Sequence, residues 1–82
     1  MIYHAEFKPR ALKDLKELPV TEIVRIVAKA EALQNDLEGD VKRLTHFTPE
    51  YRLRVGNYRV LFEVEGPNVV IYRVRHRKDA YK

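Results

Sequence analysis

Two glycine turns divide the last third of the chain into three runs of alternating side chains, and this pattern limits the fold more than any other feature. The runs YRLRV, YRVLFEVE and VVIYRVR are separated by Gly56-Asn57 and by Gly66-Pro67-Asn68. Alternation with a period of two is typical of strands with one buried face, and glycine-containing turns of this kind join hairpins. The sequence therefore predicts a three-stranded antiparallel meander beginning at Tyr51.

The first half of the chain shows a short strand followed by helical spacing. Residues 2–7 are rich in β-branched and aromatic side chains, which predicts a strand that joins the sheet at an edge. Pro9 suits the first turn of a short helix that Pro19 stops, and Thr21 is a candidate N-cap for a longer helix reaching Gly39. The two helices should form an antiparallel hairpin, followed by a connector over residues 40–50.

The predicted fold class is therefore α+β, with the element order β-α-α-β-β-β and the helix hairpin packed on the C-terminal antiparallel sheet. With 82 residues, the chain is predicted to form a single domain over residues 1–82. It has no cysteine and no apolar run of the ~20 residues that a membrane span needs. We expect a cytoplasmic protein without a membrane partner, a cofactor or a metal site.

The first hairpin predicts which side chains face the helices. A two-residue turn at Gly56-Asn57 pairs Arg54 with Arg59. Alternation then turns one set of side chains toward the helices, namely Tyr51, Leu53, Val55, Tyr58, Val60, Phe62 and Val64. It turns Arg52, Arg54 and Arg59 to the opposite, outer face.

The second hairpin extends this arginine face. The register that pairs Glu65 with Val69 also places Phe62 opposite Tyr72, which makes Tyr72 a core residue, and Arg59 opposite Arg75. Arg54, Arg59 and Arg75 would then form a row across three strands, flanked by Arg52, Arg73 and Arg77. Like charges placed opposite one another destabilise a sheet, whereas clustered guanidinium groups bind phosphates. A charged face that is merely solvated remains the alternative, and Tyr81 is the single aromatic residue expected there.

The order and spacing of these segments resemble a known family. The run YRLRVGNYRVLFEVEGPNVVIYRVRHRKDAY is similar to the C-terminal half of toxins of the RelE/ParE superfamily, and FKPRALKDLKELP and VKRL are similar to parts of its first half. The resemblance implies a microbial-ribonuclease-like fold and a toxin that, if RelE-like, is an mRNA interferase. Such an endoribonuclease cleaves mRNA in the ribosomal A site, without a metal, by attack of a 2′-hydroxyl on the adjacent phosphate.

The resemblance also implies residue roles and partners. Arg59 and either Arg77 or Arg75 correspond to catalytic arginines of the family, with Arg77 favoured because it follows His76. Tyr81 corresponds to a terminal tyrosine that stacks on a base. The other cationic residues expected to bind RNA phosphates are Arg52, Arg54, Arg73, Arg75 and Lys78. The implied partners are a RelB-like antitoxin, the ribosome and mRNA.

The general base is left open by the sequence. Lysines occupy the positions of Arg52 and Arg54 in the best-studied family pattern, and a lysine can release its proton whereas an arginine effectively cannot. His76, Glu50 and Tyr81 are the candidates, and the alternative is that the reaction relies on positioning by the ribosome. Two other functions are also open: a ParE-like inhibitor of DNA gyrase, and a regulatory domain that binds nucleic acid without cleaving it.

Overall fold

Two helices and one five-stranded sheet make up the computed structural model, which describes residues 1–81. The elements are β1 (His4–Phe7), α1 (Pro9–Lys16), α2 (Val20–Ala32), β2 (Val41–Arg43), β3 (Tyr51–Val55), β4 (Tyr58–Glu65) and β5 (Asn68–His76). The strand order is β1-β5-β4-β3-β2, with β1 parallel to β5 and every other pair antiparallel. The predicted α+β fold class is confirmed, as is the position of the first strand at an edge.

The strand β2 was not predicted. It lies in the segment that the sequence indicated as a connector, and it pairs with β3 so that Lys42 lies opposite Arg52. Three residues are too few for alternation to identify a strand. The pairing with an already formed sheet, rather than local preference, defines β2.

The second helix both begins and ends earlier in the chain than predicted. It begins at Val20, and the Pro19 carbonyl accepts hydrogen bonds from the amides of Glu22 and Ile23, both at 3.0 Å. Thr21 therefore lies inside the first turn and is not the N-cap. The helix ends at Ala32, and the amides of Leu33, Gln34 and Asn35 donate to carbonyls three residues earlier. Leu37, farther along, has a φ of 59° in the left-handed region.

The core lies between the helices and one face of the sheet. The fully buried side chains include Ile26, Leu33, Leu53, Val60 and Phe62. All seven side chains predicted to face the helices belong to this cluster or pack against it. The first hairpin also has the predicted register, with Arg54 opposite Arg59.

The second hairpin follows the predicted register only in part. Arg59 lies opposite Arg75 as expected, but a bulge at Leu61/Phe62 brings Phe62 opposite Ile71 instead of Tyr72. Glu65 consequently pairs with Asn68 rather than Val69. The prediction that Tyr72 is a core residue was wrong: its hydroxyl donates to the exposed Glu65 carboxylate at 2.8 Å. The extra residue lets β5 keep Ile71 and Val74 buried on either side of the bulge.

The outer face of the sheet is partly covered. Leu61 and Ala80 are buried, although neither belongs to the core cluster against the helices. By alternation Leu61 shares the outer face with Arg59, and the Glu50 amide donates to the Glu63 carboxylate across this side of the sheet. The connector and the C-terminal segment therefore turn the outer face into a cleft.

The described residues contain neither a membrane-spanning helix nor a group of side chains suited to a metal ion. Neither of the two helices is long and apolar enough to cross a membrane. Within residues 1–81, no group of three histidine or carboxylate side chains is arranged to hold a metal ion.

Candidate functional site

The outer face of the sheet holds a cleft of about 410 Å³ that contains three of the six predicted arginines. It is lined by Lys42, Leu44, Thr45, Phe47, Arg52, Arg54, Arg59 and Tyr81. Four different parts of the chain contribute: β2, the connector, the β3–β4 hairpin and the C-terminal segment. The structure thus brings together residues that are 39 positions apart in sequence.

The three arginines of the cleft are held to different degrees. Arg52 Nη1 donates to the Asp40 carbonyl at 2.8 Å and to its carboxylate at 3.2 Å, whereas Arg59 Nη1 donates to the carbonyls of Gly56 at 2.9 Å and Tyr58 at 3.0 Å. Arg54 is exposed, and no described carboxylate lies within ion-pair distance of it or of Arg59. Two of the three guanidinium groups therefore keep their charge available for an anion.

An aromatic pair forms one wall of the cleft. The rings of Phe47 and Tyr81 meet edge to face, with centroids 5.3 Å apart, and Tyr81 remains 48% exposed. The sequence predicted Tyr81 alone on this face. Phe47 was missed because the connector shows no periodicity, although an aromatic residue in so polar a segment is a usable signal.

Lys42 is a second residue of the cleft that the sequence analysis did not identify as functional. It is exposed on β2, directly opposite Arg52. Directly opposite residues of an antiparallel pair share a face, so β2 adds an ammonium group to the three guanidinium groups. Recognising Lys42 required the strand that the sequence did not show.

Arg73 does not reach the cleft. Its Nε and Nη2 donate to the two oxygens of Asp14 at 2.8 and 3.1 Å, and the Val74 amide donates to the same carboxylate at 3.0 Å. Burial alone would raise the pKa of Asp14, but the hydrogen bonds from Arg73 and Val74 outweigh it and lower that pKa. The same hydrogen bond raises the pKa of Arg73. The charge of Arg73 is therefore already compensated within the fold.

Arg75 and His76 line a different cavity, of about 250 Å³, beside α1. Arg75 lies opposite Arg59 as predicted, yet the residues around its cavity include Asp14 and Glu17. The His76 ring packs edge to face against Tyr58 at 5.5 Å, and its Nδ1 accepts from the Lys78 amide at 3.2 Å. Neither side chain is among the residues that line the arginine cleft, although the pairing places Arg75 on the same face as Arg59.

Arg77 and Lys78 are exposed in the turn after β5, and neither is among the residues that line the cleft. The Arg77 amide donates to the Asn57 carbonyl at 2.8 Å, which joins this turn to the β3–β4 hairpin. The two cations lie on the same end of the molecule as Arg59 without sharing its cavity.

Glu50 lies in a neighbouring cavity of about 530 Å³, which the connector encloses. Its carboxylate pairs with Arg43 Nη2 at 3.3 Å, and His46 lines the same cavity. Leu44, Thr45 and Phe47 line both cavities and so form the wall between them. Of the three residues suggested by the sequence as a general base, Tyr81 alone lines the arginine cleft.

The arrangement suits binding of a polyanion with bases attached. Four cations and two aromatic rings line the cleft, and one carboxylate, that of Asp40, binds a cation there. Guanidinium groups hold phosphate oxygens, while exposed aromatic rings stack on bases. The net charge of +4 agrees with this, since eight of the twelve acidic side chains lie in residues 1–40.

Comparison with known proteins agrees with the resemblance seen in the sequence. The family model described as the ParE toxin of the type II toxin–antitoxin system parDE matches residues 5–81. The toxin RelE3 of Methanocaldococcus jannaschii is 40% identical over 80 residues, which cover 92% of this chain and 91% of that protein.

Solved structures show the same fold. A chain of the RelB–RelE antitoxin–toxin complex from Methanococcus jannaschii is 38% identical with a TM-score of 0.73, over 88% of this chain and 89% of its own length. A chain of the toxin–antitoxin complex RelBE2 from Mycobacterium tuberculosis is 29% identical with a TM-score of 0.81, over 94% and 100% of the two chains. This chain therefore belongs to the ParE toxin family and is a RelE-like toxin of a type II toxin–antitoxin system.

Proposed function

We propose that this toxin is a ribosome-dependent endoribonuclease that cleaves mRNA in the A site. The observation that carries the proposal is the cleft in which Arg54, Arg59 and Tyr81 meet. A gyrase inhibitor acting through protein contacts has no need of unpaired guanidinium groups beside an exposed aromatic ring. An enzyme that binds a phosphate between two nucleotides needs both.

The cleft residues would have different roles in the reaction. Arg54 and Arg59, free of carboxylate partners, would stabilise the charge that develops on the phosphate as the 2′-hydroxyl attacks. Arg52, held by Asp40, would position the adjacent phosphate. Tyr81, backed by Phe47, would stack on a base and so align the attacking oxygen with the phosphorus. Arg75, which lies opposite Arg59, and the exposed Arg77 and Lys78 would contact flanking phosphates outside the cleft.

Primer extension on mRNA from cells that express the toxin tests this function. We expect discrete cuts within translated codons, and we expect the double variant Arg59→Ala, Tyr81→Phe to lose both the cuts and the growth arrest. Lys29→Ala is the control, because Lys29 is an exposed cation on α2 away from the cleft. Growth arrest by the double variant, together with accumulation of gyrase cleavage complexes, would instead identify a gyrase inhibitor.

We also propose that a RelB-like antitoxin neutralises the toxin by covering the cationic cleft. The related chains in the M. jannaschii and M. tuberculosis structures belong to toxin–antitoxin complexes, which supports a partner of this kind. Acidic side chains in the antitoxin would pair with Arg54 and Arg59. Coexpression with the adjacent open reading frame should restore growth, and Arg54→Glu should weaken the purified complex; an unchanged affinity would place the antitoxin elsewhere.

A further inference from the structure

The cleft lacks an evident acceptor for the proton of the attacking 2′-hydroxyl, and β2 supplies a residue that can take it. Three of its four cations are arginines, which stay protonated under nearly all conditions. His76 and Glu50 line other cavities. The remaining polar side chains of the cleft are Lys42, Thr45 and Tyr81, and the proposed function already gives Tyr81 the role of stacking on a base.

We infer that Lys42 is the general base of the cleavage reaction, an assignment that rests on the proposed function. Lys42 lines the cleft with Arg52, Arg54 and Arg59, and among these four cations it alone has a neutral form with a lone pair. No described residue forms an ion pair with its ammonium group. Its side chain is thus not committed to the fold and is available to the substrate.

The register explains how β2 brings Lys42 to the site. Lys42 lies opposite Arg52, and Arg52 in turn donates to Asp40, two residues before Lys42. The Arg54 amide also donates to the Asp40 carbonyl at 3.0 Å, which fixes the start of β2 against β3. These contacts hold the backbone on either side of Lys42 in place, while the side chain itself remains exposed.

The reaction balances with Lys42 in its amine form. Lys42 Nζ takes the proton of the 2′-hydroxyl, and the 2′ oxygen bonds to phosphorus as the bond from phosphorus to the 5′ oxygen breaks. A 2′,3′-cyclic phosphate remains on one fragment. The 5′ oxygen of the other takes a proton from water, and the Lys42 ammonium returns its proton to solvent.

The charged groups around Lys42 come from every neighbouring element. Arg52 and Arg54 lie on β3 and Arg59 on β4, the Tyr81 hydroxyl lies on the C-terminal segment, and Asp40 precedes β2. The connector beyond β2 adds the Arg43–Glu50 ion pair and His46 in the adjoining cavity.

Single-turnover cleavage of ribosome-bound mRNA by the purified full chain tests the inference, with Lys42→Arg as the decisive variant. This substitution keeps the positive charge but removes the ability to accept a proton. We expect a rate reduced by about 100-fold or more, the effect of losing a general base, and a similar loss in Lys42→Ala. Lys29→Arg, the same exchange on α2, should cleave at the rate of the unchanged protein.

One further readout separates a general base from a general acid. A substrate whose scissile 5′ oxygen is replaced by sulfur needs no acid for departure, so the Lys42→Arg defect should persist on it.

Three results would overturn the assignment. A Lys42→Arg rate close to that of the unchanged protein would show that Lys42 contributes charge alone. Recovery of that variant on the sulfur substrate would make Lys42 the acid. No cleavage by the unchanged protein, with or without ribosomes, would remove the proposed function itself, a result distinct from failure of the variant.

Discussion

Arg54 on β3 and Arg73 on β5 belong to one sheet and to the same alternating pattern, yet their charges have different partners. Arg73 is bound through two hydrogen bonds to Asp14 of α1 and is partly buried. Arg54 is exposed in the cleft without a described carboxylate partner. An arginine whose charge is neutralised by a carboxylate within the fold stabilises that fold, whereas an arginine without such a partner is available to bind a ligand.

The reason for the difference is the length of β1. It pairs with β5 only as far as Phe7 and Ile71, so the next part of β5 has no strand on that side. Asp14 fills the gap by accepting from the Val74 amide, and Arg73 then neutralises the carboxylate. The ion pair thus completes a sheet edge, because an unpaired buried amide would be costly.

The largest expected effect is the loss of mRNA cleavage when the uncompensated arginine, Arg54, is removed. Arg54→Ala should lower the rate of mRNA cleavage by about 10²–10³-fold, the range seen when one preorganised charge-stabilising group is removed. Its free energy of unfolding should change by no more than about 0.5 kcal/mol, as for other exposed side chains. Single-turnover cleavage and urea unfolding measure the two quantities; a large loss of stability with intact cleavage would contradict the assignment.

The opposite result is expected for Arg73→Met, which keeps the apolar stem and removes the guanidinium. Loss of the partner of a partly buried carboxylate should destabilise the fold by about 1–3 kcal/mol. Cleavage measured well below the unfolding temperature should stay within a few-fold of the unchanged protein. The matched control is Arg10→Met, because Arg10 approaches the same Asp14 only at 4.0 Å and is far more exposed.

Phe47→Leu tests whether Phe47 supports Tyr81 in the cleft, because it retains an apolar side chain but removes the ring that packs against Tyr81. Loss of an aromatic pair costs about 0.5–1.5 kcal/mol, so cleavage at low substrate concentration should fall by about two- to tenfold because the base stacks less firmly on Tyr81. The defect should appear as weaker substrate binding. An unchanged rate at all substrate concentrations would show that Tyr81 acts without Phe47.

The smallest expected effect is the contribution of Asp14 to the pH dependence of the free energy of unfolding. Hydrogen bonds to Arg73 and Val74 hold its pKa below the ordinary value of 3.8 despite burial. The carboxylate therefore stabilises the fold above that value, and this contribution is lost as the pH falls through the lower pKa of the folded state. The stability difference between the unchanged protein and Asp14→Asn, measured by urea unfolding, should shrink as the solution is acidified; a constant difference would contradict it.

Most of the fold and part of the site could be predicted from the sequence. The glycine turn at Gly56-Asn57 fixed the first hairpin, and the row of Arg54, Arg59 and Arg75 has the predicted pairing. The bulge beside Leu61 could not be predicted, because both registers bury apolar side chains and only packing against the helices distinguishes them. Lys42 and Phe47 were missed for the related reason that β2 and the connector have no periodic pattern of their own.

The local sequence determined which residues are strands, which side chains share a face, and that arginines gather on the outer one, because alternation and turn chemistry act between near neighbours. Tertiary structure decided what each arginine does. Arg73 was joined to Asp14, 59 residues away, while Lys42, Phe47 and Tyr81 were brought around Arg54 and Arg59. The charge of an arginine is compensated by partners that are close in space but distant in sequence, and a local sequence pattern cannot reveal them.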